Sequence, residues 1–133
     1  MSELKISEDK IGDILILDLA GGIRIGAGSV DLHETIRRCI ANGEKKVILN
    51  LESVTSIDSN GLGELVGAYA SMKKNGGDLK ILNLTDRVTE LMMITKLLTL
   101  FDVFDDETDA IRSFNAGGPR PLVERLKNKK EKS

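Results

Sequence analysis

The sequence is poor in the residues that build metal centres, disulfides and stacking platforms. It holds one cysteine, Cys39, so no internal disulfide can form, and with a single histidine, His33, too few soft ligands remain for a zinc site. Tryptophan is absent and aromatic residues make up 3%, which removes the surfaces on which single-stranded nucleic acid is stacked. The longest aliphatic run, "ILIL" at Ile14 to Leu17, is far too short to cross a bilayer, so membrane insertion is not expected. The opening "MSELKISEDK" is polar and acidic, with no apolar segment after a basic one. No secretory or transit signal is expected there, and the location expected is cytoplasmic.

What is present is the balance of a folded domain: 133 residues, 41% hydrophobic and 30% charged. At this size folding removes roughly two thirds of the unfolded chain's surface from water. Charge is unevenly spread, with 13 Lys/Arg against 19 Asp/Glu over Met1 to Gly118 and 6 against 2 over Pro119 to Ser133. A Lys-rich end of this kind is most simply a solvated one, and direct nucleic-acid binding is not expected of it.

Hydrophobic periodicity predicts a hairpin of Leu4 to Lys10 and Ile14 to Leu19 around Gly12 and Asp13, one strand at an edge and one interior. The stretch "AGGIRIGAGS" reads as a glycine-rich connector, with Ser29 capping a helix over Val30 to Ala41. "VILNL" at Val47 to Leu51 is aliphatic on both faces, as a central strand covered by helices should be. Leu62, Leu65, Val66, Tyr69 and Met72 then recur at helical spacing, and Asn75, Gly76 and Gly77 stop that helix. "LKILNL" at Leu79 to Leu84 is a further strand, Thr85 or Asp86 caps a helix, Phe101 to Phe104 is a short last strand and "DDETDAIRSF" a last helix. Gly117, Gly118, Pro119 and Pro121 mark the end of the domain. Strand and helix alternate from Val47 onward, which predicts an α/β layer with parallel strands.

The segment "SIDSNGLGEL", Ser56 to Leu65, falls where the central strand gives way to a helix, the end of an open α/β sheet at which working loops gather. Ser59 or Asn60 is the expected cap, Asp58 adds negative charge at the helix's positive end, and Gly61 and Gly63 admit close approach of another surface. "DSNG" is equally a good turn and cap sequence without any function. Enzymatic alternatives fail on spacing. A nucleophile elbow needs glycine two residues before the serine, where Ile57 stands, and "GGIRIGAGS" matches neither a dinucleotide nor a phosphate-loop pattern. Cys39, mid-helix beside Ile40, reads as packing, and His33 as a surface residue. What is left is a serine that receives chemistry. A phosphate at a helix start adds about 1.5 to 2 negative charges, which backbone N–H groups tolerate and a docked partner does not.

At "VILNLESVTSIDSNGLGEL" and the later "GGDLKILNL" the sequence resembles the anti-sigma-factor antagonist family, single STAS domains. The resemblance implies a STAS fold, a mixed sheet of four to five strands with helices packed mainly on one face. The resemblance runs over about Leu4 to Phe114; with the break at Gly117 the domain is expected at residues 1–116 and 117–133 as a basic, flexible tail. Ser59 sits at the position that resembles the family's phosphoacceptor, and Asp58, Ser59, Asn60, Gly61, Leu62, Gly63 and Gly67 form the implied partner surface.

The resemblance further implies a non-enzymatic module that binds an anti-sigma factor, itself an ATP-dependent serine kinase, and so frees a sigma factor. Phosphorylation of Ser59 ends that complex and a serine phosphatase resets it, while ATP and magnesium belong to the kinase. A weak homodimer stays open. The alternative is a constitutive STAS adaptor in a signalling complex or a lipid-transport ATPase. Arg24 departs from the pattern, since family members often carry an acidic residue in that connector.

Overall fold

The computed structural model describes residues 4–115 and 117–122. Strands β1 (Leu4–Ile11) and β2 (Ile14–Ile23) form the antiparallel hairpin, pairing Ile11 with Ile14 and Leu4 with Gly21. Helix α1 (Ala27–Ala41) crosses to β3 (Lys46–Ile57), α2 (Ser59–Lys74) to β4 (Asp78–Leu82) and α3 (Asp86–Ile94) to β5 (Asp102–Phe104), with α4 (Glu107–Arg112) last. The sheet order is β1-β2-β3-β4-β5, and every pairing after the hairpin is parallel. This is the expected α/β STAS arrangement, with β1 at an edge and β3 in the middle.

Alternation along each strand sorts its side chains to two faces. Val47, Leu49 and Leu51 of β3 pack with Leu32, Ile36 and Cys39 of α1, Leu62, Leu65 and Met72 of α2, and Val88 and Met92 of α3. Each such side chain, when fully buried, contributes roughly 1.5–3 kcal/mol. On the other face Ile16, Ile48, Leu82 and Phe104 meet Ala110, Ile111 and Phe114 from α4 and the turn after it. Three helices therefore cover one face and one short helix the other. Lys80, 6% exposed, lies on this second face. Its ammonium pairs with Asp102 at 3.0 Å and Asp78 at 3.6 Å and sits 5.0 Å from the Phe114 ring centre. A buried cation is tolerated because charge and ring partners replace its water.

Two connectors differ from the sequence expectation. β2 runs on to Ile23 because its parallel ladder with β3 continues through irregularities between Asp18 and Ala20 and at Gly21 and Gly22. α1 consequently begins at Ala27 with Gly26 as N-cap, and Ser29, expected as that cap, lies inside the helix. β3 extends to Ile57 instead of ending at Leu51. Its second half escaped notice because Glu52, Ser53 and Thr55 are exposed and only Val54 is buried.

Cys39 is 2% exposed, and burial, reinforced by the charge of Glu8, pushes its thiol above the ordinary range. It is packing, as expected. At the far end of the described chain, Leu122 packs partly buried against the main core. The remainder of the basic tail, 123–133, lies outside the described residues. Among the described residues no helix is long and apolar enough to cross a membrane.

Candidate functional site

Asp58 joins the last residue of β3 to the first of α2, and its extended backbone (φ −112°, ψ −178°) turns its carboxylate back over the helix start. Oδ1 accepts from the Gly61 N–H at 2.8 Å, and Oδ2 accepts from the Ile25 N–H at 2.9 Å in the β2–α1 connector. The Asp58 N–H in turn donates to the Ile23 carbonyl at 3.4 Å. Asp58, and not Ser59 or Asn60, is therefore the cap, since the helix begins one residue earlier than expected. One carboxylate fastens two connectors together.

The Ile25 N–H bond, then the Gly61 bond, hold the Asp58 carboxyl below its ordinary value, the charge of Arg24 adds to this, and partial burial opposes it. A depressed carboxylate stabilises the fold above its unfolded value and loses that contribution as pH falls through the folded one. The Asp58 contribution is thus present above about pH 4 and fades below it. Asp58→Ala is expected to lose about 1–2 kcal/mol at neutral pH. Urea melts at neutral and strongly acid pH check this, with the gap to the parent protein closing in acid.

Asn60 is anchored as well: its Oδ1 accepts from the Ser29 hydroxyl, itself buried in α1, at 2.6 Å. The starts of α1 and α2 are tied directly. Between the two anchored residues stands Ser59, exposed, its hydroxyl without a hydrogen-bond partner among the described residues. His33 Nδ1 is engaged with Glu64 Oε2 at 3.1 Å, and no hydrogen bond joins its ring to Ser59 among the described residues. No group of His, Cys, Asp or Glu side chains among the described residues could hold a metal.

The remaining expected site residues separate into two kinds. Gly61 and Leu62 are buried, Leu62 at 3% exposure. Both pack inward: a Cβ at Gly61 would collide with the Ile23 carbonyl, and Leu62 fills the main core. Gly63 and Gly67 are exposed on α2, with open space where a Cβ would go. Packing within the domain does not require these two glycines. Gly63→Ala and Gly67→Ala are each expected to stabilise the isolated chain by roughly 0.5–1 kcal/mol through helix propensity. Urea titration checks it, and a loss of stability would show that the face is not open.

Sequence reasoning missed the apolar residues beside this face. Ile25 is 75% exposed and Val30 51% exposed. Together with Ser29, Arg37, Asn60 and Glu64 they line a surface hollow of about 400 Å³. The available signal was an isoleucine flanked by Arg24 and Gly26, in a connector too short to bury it.

The chain belongs to the STAS domain family, whose model matches residues 5–110. It is 36% identical over 73 residues to an anti-sigma-B factor antagonist of Staphylococcus aureus, a match covering 55% of this chain and 68% of that protein. Its fold resembles that of an anti-sigma factor antagonist from Mycobacterium paratuberculosis, with a TM-score of 0.74 at 17% identity over 85% of this chain and 97% of the other. The Bacillus cell fate determinant SpoIIAA in its phosphorylated form aligns with a TM-score of 0.65 at 18% identity, over 84% of this chain and 100% of that one.

Proposed function

We propose that the chain is an anti-sigma-factor antagonist. In this reading the unmodified domain binds an anti-sigma factor that is also a serine kinase, which frees a sigma factor in the cytoplasm. Phosphorylation of Ser59 ends the complex, and a serine phosphatase restores it. The protein acts as a binding module, and the ATP and magnesium of the cycle belong to the kinase.

The observation that carries the proposal is the display of Ser59. Its hydroxyl is exposed at the first residue of α2 while both neighbours are pinned, Asp58 by two backbone N–H groups and Asn60 by Ser29. A kinase can reach it without unfolding the domain, and the helix start accommodates added negative charge. A partner lying over Gly63 and Gly67 would instead have to bury that charge beside Asp58, without cations of its own arranged for it. The similarity to anti-sigma-B factor antagonists supports the choice of partner.

The test is incubation of the chain with its anti-sigma factor and ATP, followed by intact-mass and peptide analysis. One phosphate is expected, located at Ser59, and none on the Ser59→Ala protein. Equal modification of that variant would show the acceptor to be elsewhere.

A further inference from the structure

A hollow of about 590 Å³ opens beyond the ends of β4 and β5, against the start of α3, and Ser59 takes no part in it. Leu84, Leu98, Val103 and Leu122 form its apolar wall, and the three leucines are only partly buried against the main core. Glu52, Asp86 and Asp105 line it as well, all three exposed, and no lining side chain is basic. Among the described residues no hydrogen bond or ion pair engages these carboxylates, whereas Asp78 and Asp102 of the same sheet are paired with Lys80. The hollow thus combines uncovered apolar surface with uncompensated negative charge.

We propose that residues 123–133 of this same chain occupy the hollow, Leu126 joining Leu122 on the apolar wall and the basic residues facing Glu52, Asp86 and Asp105. Three observations support this occupant. The chain arrives at the hollow, because Leu122 is one of its lining residues. Leu126 follows four residues later, about 6 Å away along a helix or about 13 Å in extended chain, within reach of the wall in either case. The segment carries Arg125, Lys127, Lys129, Lys130 and Lys132 against Glu124 and Glu131, a net charge of +3 that meets the three carboxylates. Lysine and arginine stems can lie along apolar surface while their charged ends reach the acids. Because the segment is tethered, its effective concentration is on the order of millimolar, so a weak contact suffices to hold it. An anionic occupant is disfavoured: the start of α3 would attract one, but Asp86 in its first turn and the other two carboxylates oppose it. The basic residues of the chain are then neutralised by their own domain and withheld from nucleic acid and anionic lipid.

The test is paramagnetic broadening of amide NMR signals in the full chain. Asn128→Cys carries a nitroxide label, while Cys39 is buried away from the reagent. The signals of Asn83, Leu84 and Asp105 are expected to be lost with the label oxidised and to return when it is reduced. Leu126→Asp in the labelled chain should restore them, and so should Glu52→Gln, Asp86→Asn and Asp105→Asn combined, with the rest of the amide spectrum verifying that each protein is folded. Full signals in the labelled parent would overturn the inference, as would losses that persist in both variants. A labelled chain mixed with unlabelled, isotope-enriched chain is expected to cause no loss. Loss in that mixture alone would assign the hollow to the basic segment of a second copy and would equally overturn the inference. Neither Ser59 nor any partner takes part, so the outcome is independent of the proposed function.

Discussion

Gly61→Ala is expected to lose about 3 kcal/mol or more of stability, the largest effect of any single methyl group in the site. The added Cβ would enter the Ile23 carbonyl and also crowd the Ile23 side chain. Neither obstacle is the flexible end of a side chain. Ile23 is fully buried at the end of β2, and its carbonyl accepts the Asp58 N–H, so retreat would break the junction that orders both connectors. For a domain of this size the expected fall in melting temperature is about 10 °C. Gly63→Ala, two residues on and with nothing near its Cβ, is the internal control and should move the other way. A Gly61→Ala protein within about 0.5 kcal/mol of the parent would refute the close contact between β2 and α2.

Ser59→Asp is expected to weaken binding of the anti-sigma factor about 100-fold while leaving the melting temperature within a few degrees of the parent. A charge buried unpaired at an interface costs about 2–5 kcal/mol, and about 2.7 kcal/mol is a hundredfold in Kd. The free domain has no such penalty, because position 59 is exposed and lies at the positive end of α2. Ser59→Ala removes a hydroxyl with no partner among the described residues, and binding within a few-fold of the parent is expected. Calorimetric titration of the three proteins checks both statements. Equal weakening by alanine and aspartate would assign Ser59 to direct contact instead of charge control.

The fold was legible wherever hydrophobic periodicity was unbroken. The hairpin about Gly12 and Asp13, the central place of β3, the stop at Asn75 and the cap at Thr85 all follow from spacing and turn chemistry. Legibility failed where tertiary contacts override local signals. The second half of β3 is held by its ladder to a kinked β2, so Glu52 and Ser53 read as loop residues. Asp58 takes the cap from Ser59 because the Ile25 N–H, distant in sequence, fixes its carboxylate in place.

The same limit applies at the site. Ser59 could be singled out from its position and its motif, yet the sequence could not separate Gly61 from Gly63. Only the approach of Ile23 makes one of them structurally necessary and leaves the other on an open face. Leu122 was assigned to the tail by composition, whereas its side chain packs against the core.

The most direct test of the account is a paired titration of the anti-sigma factor against the unmodified chain and against the chain carrying phosphoserine at 59, with thermal melts of both. The account predicts a tight complex for the first, loss of measurable binding for the second, and closely similar melting temperatures. Undiminished binding of the phosphorylated chain would contradict it, and so would binding lost only because the phosphate unfolds the domain.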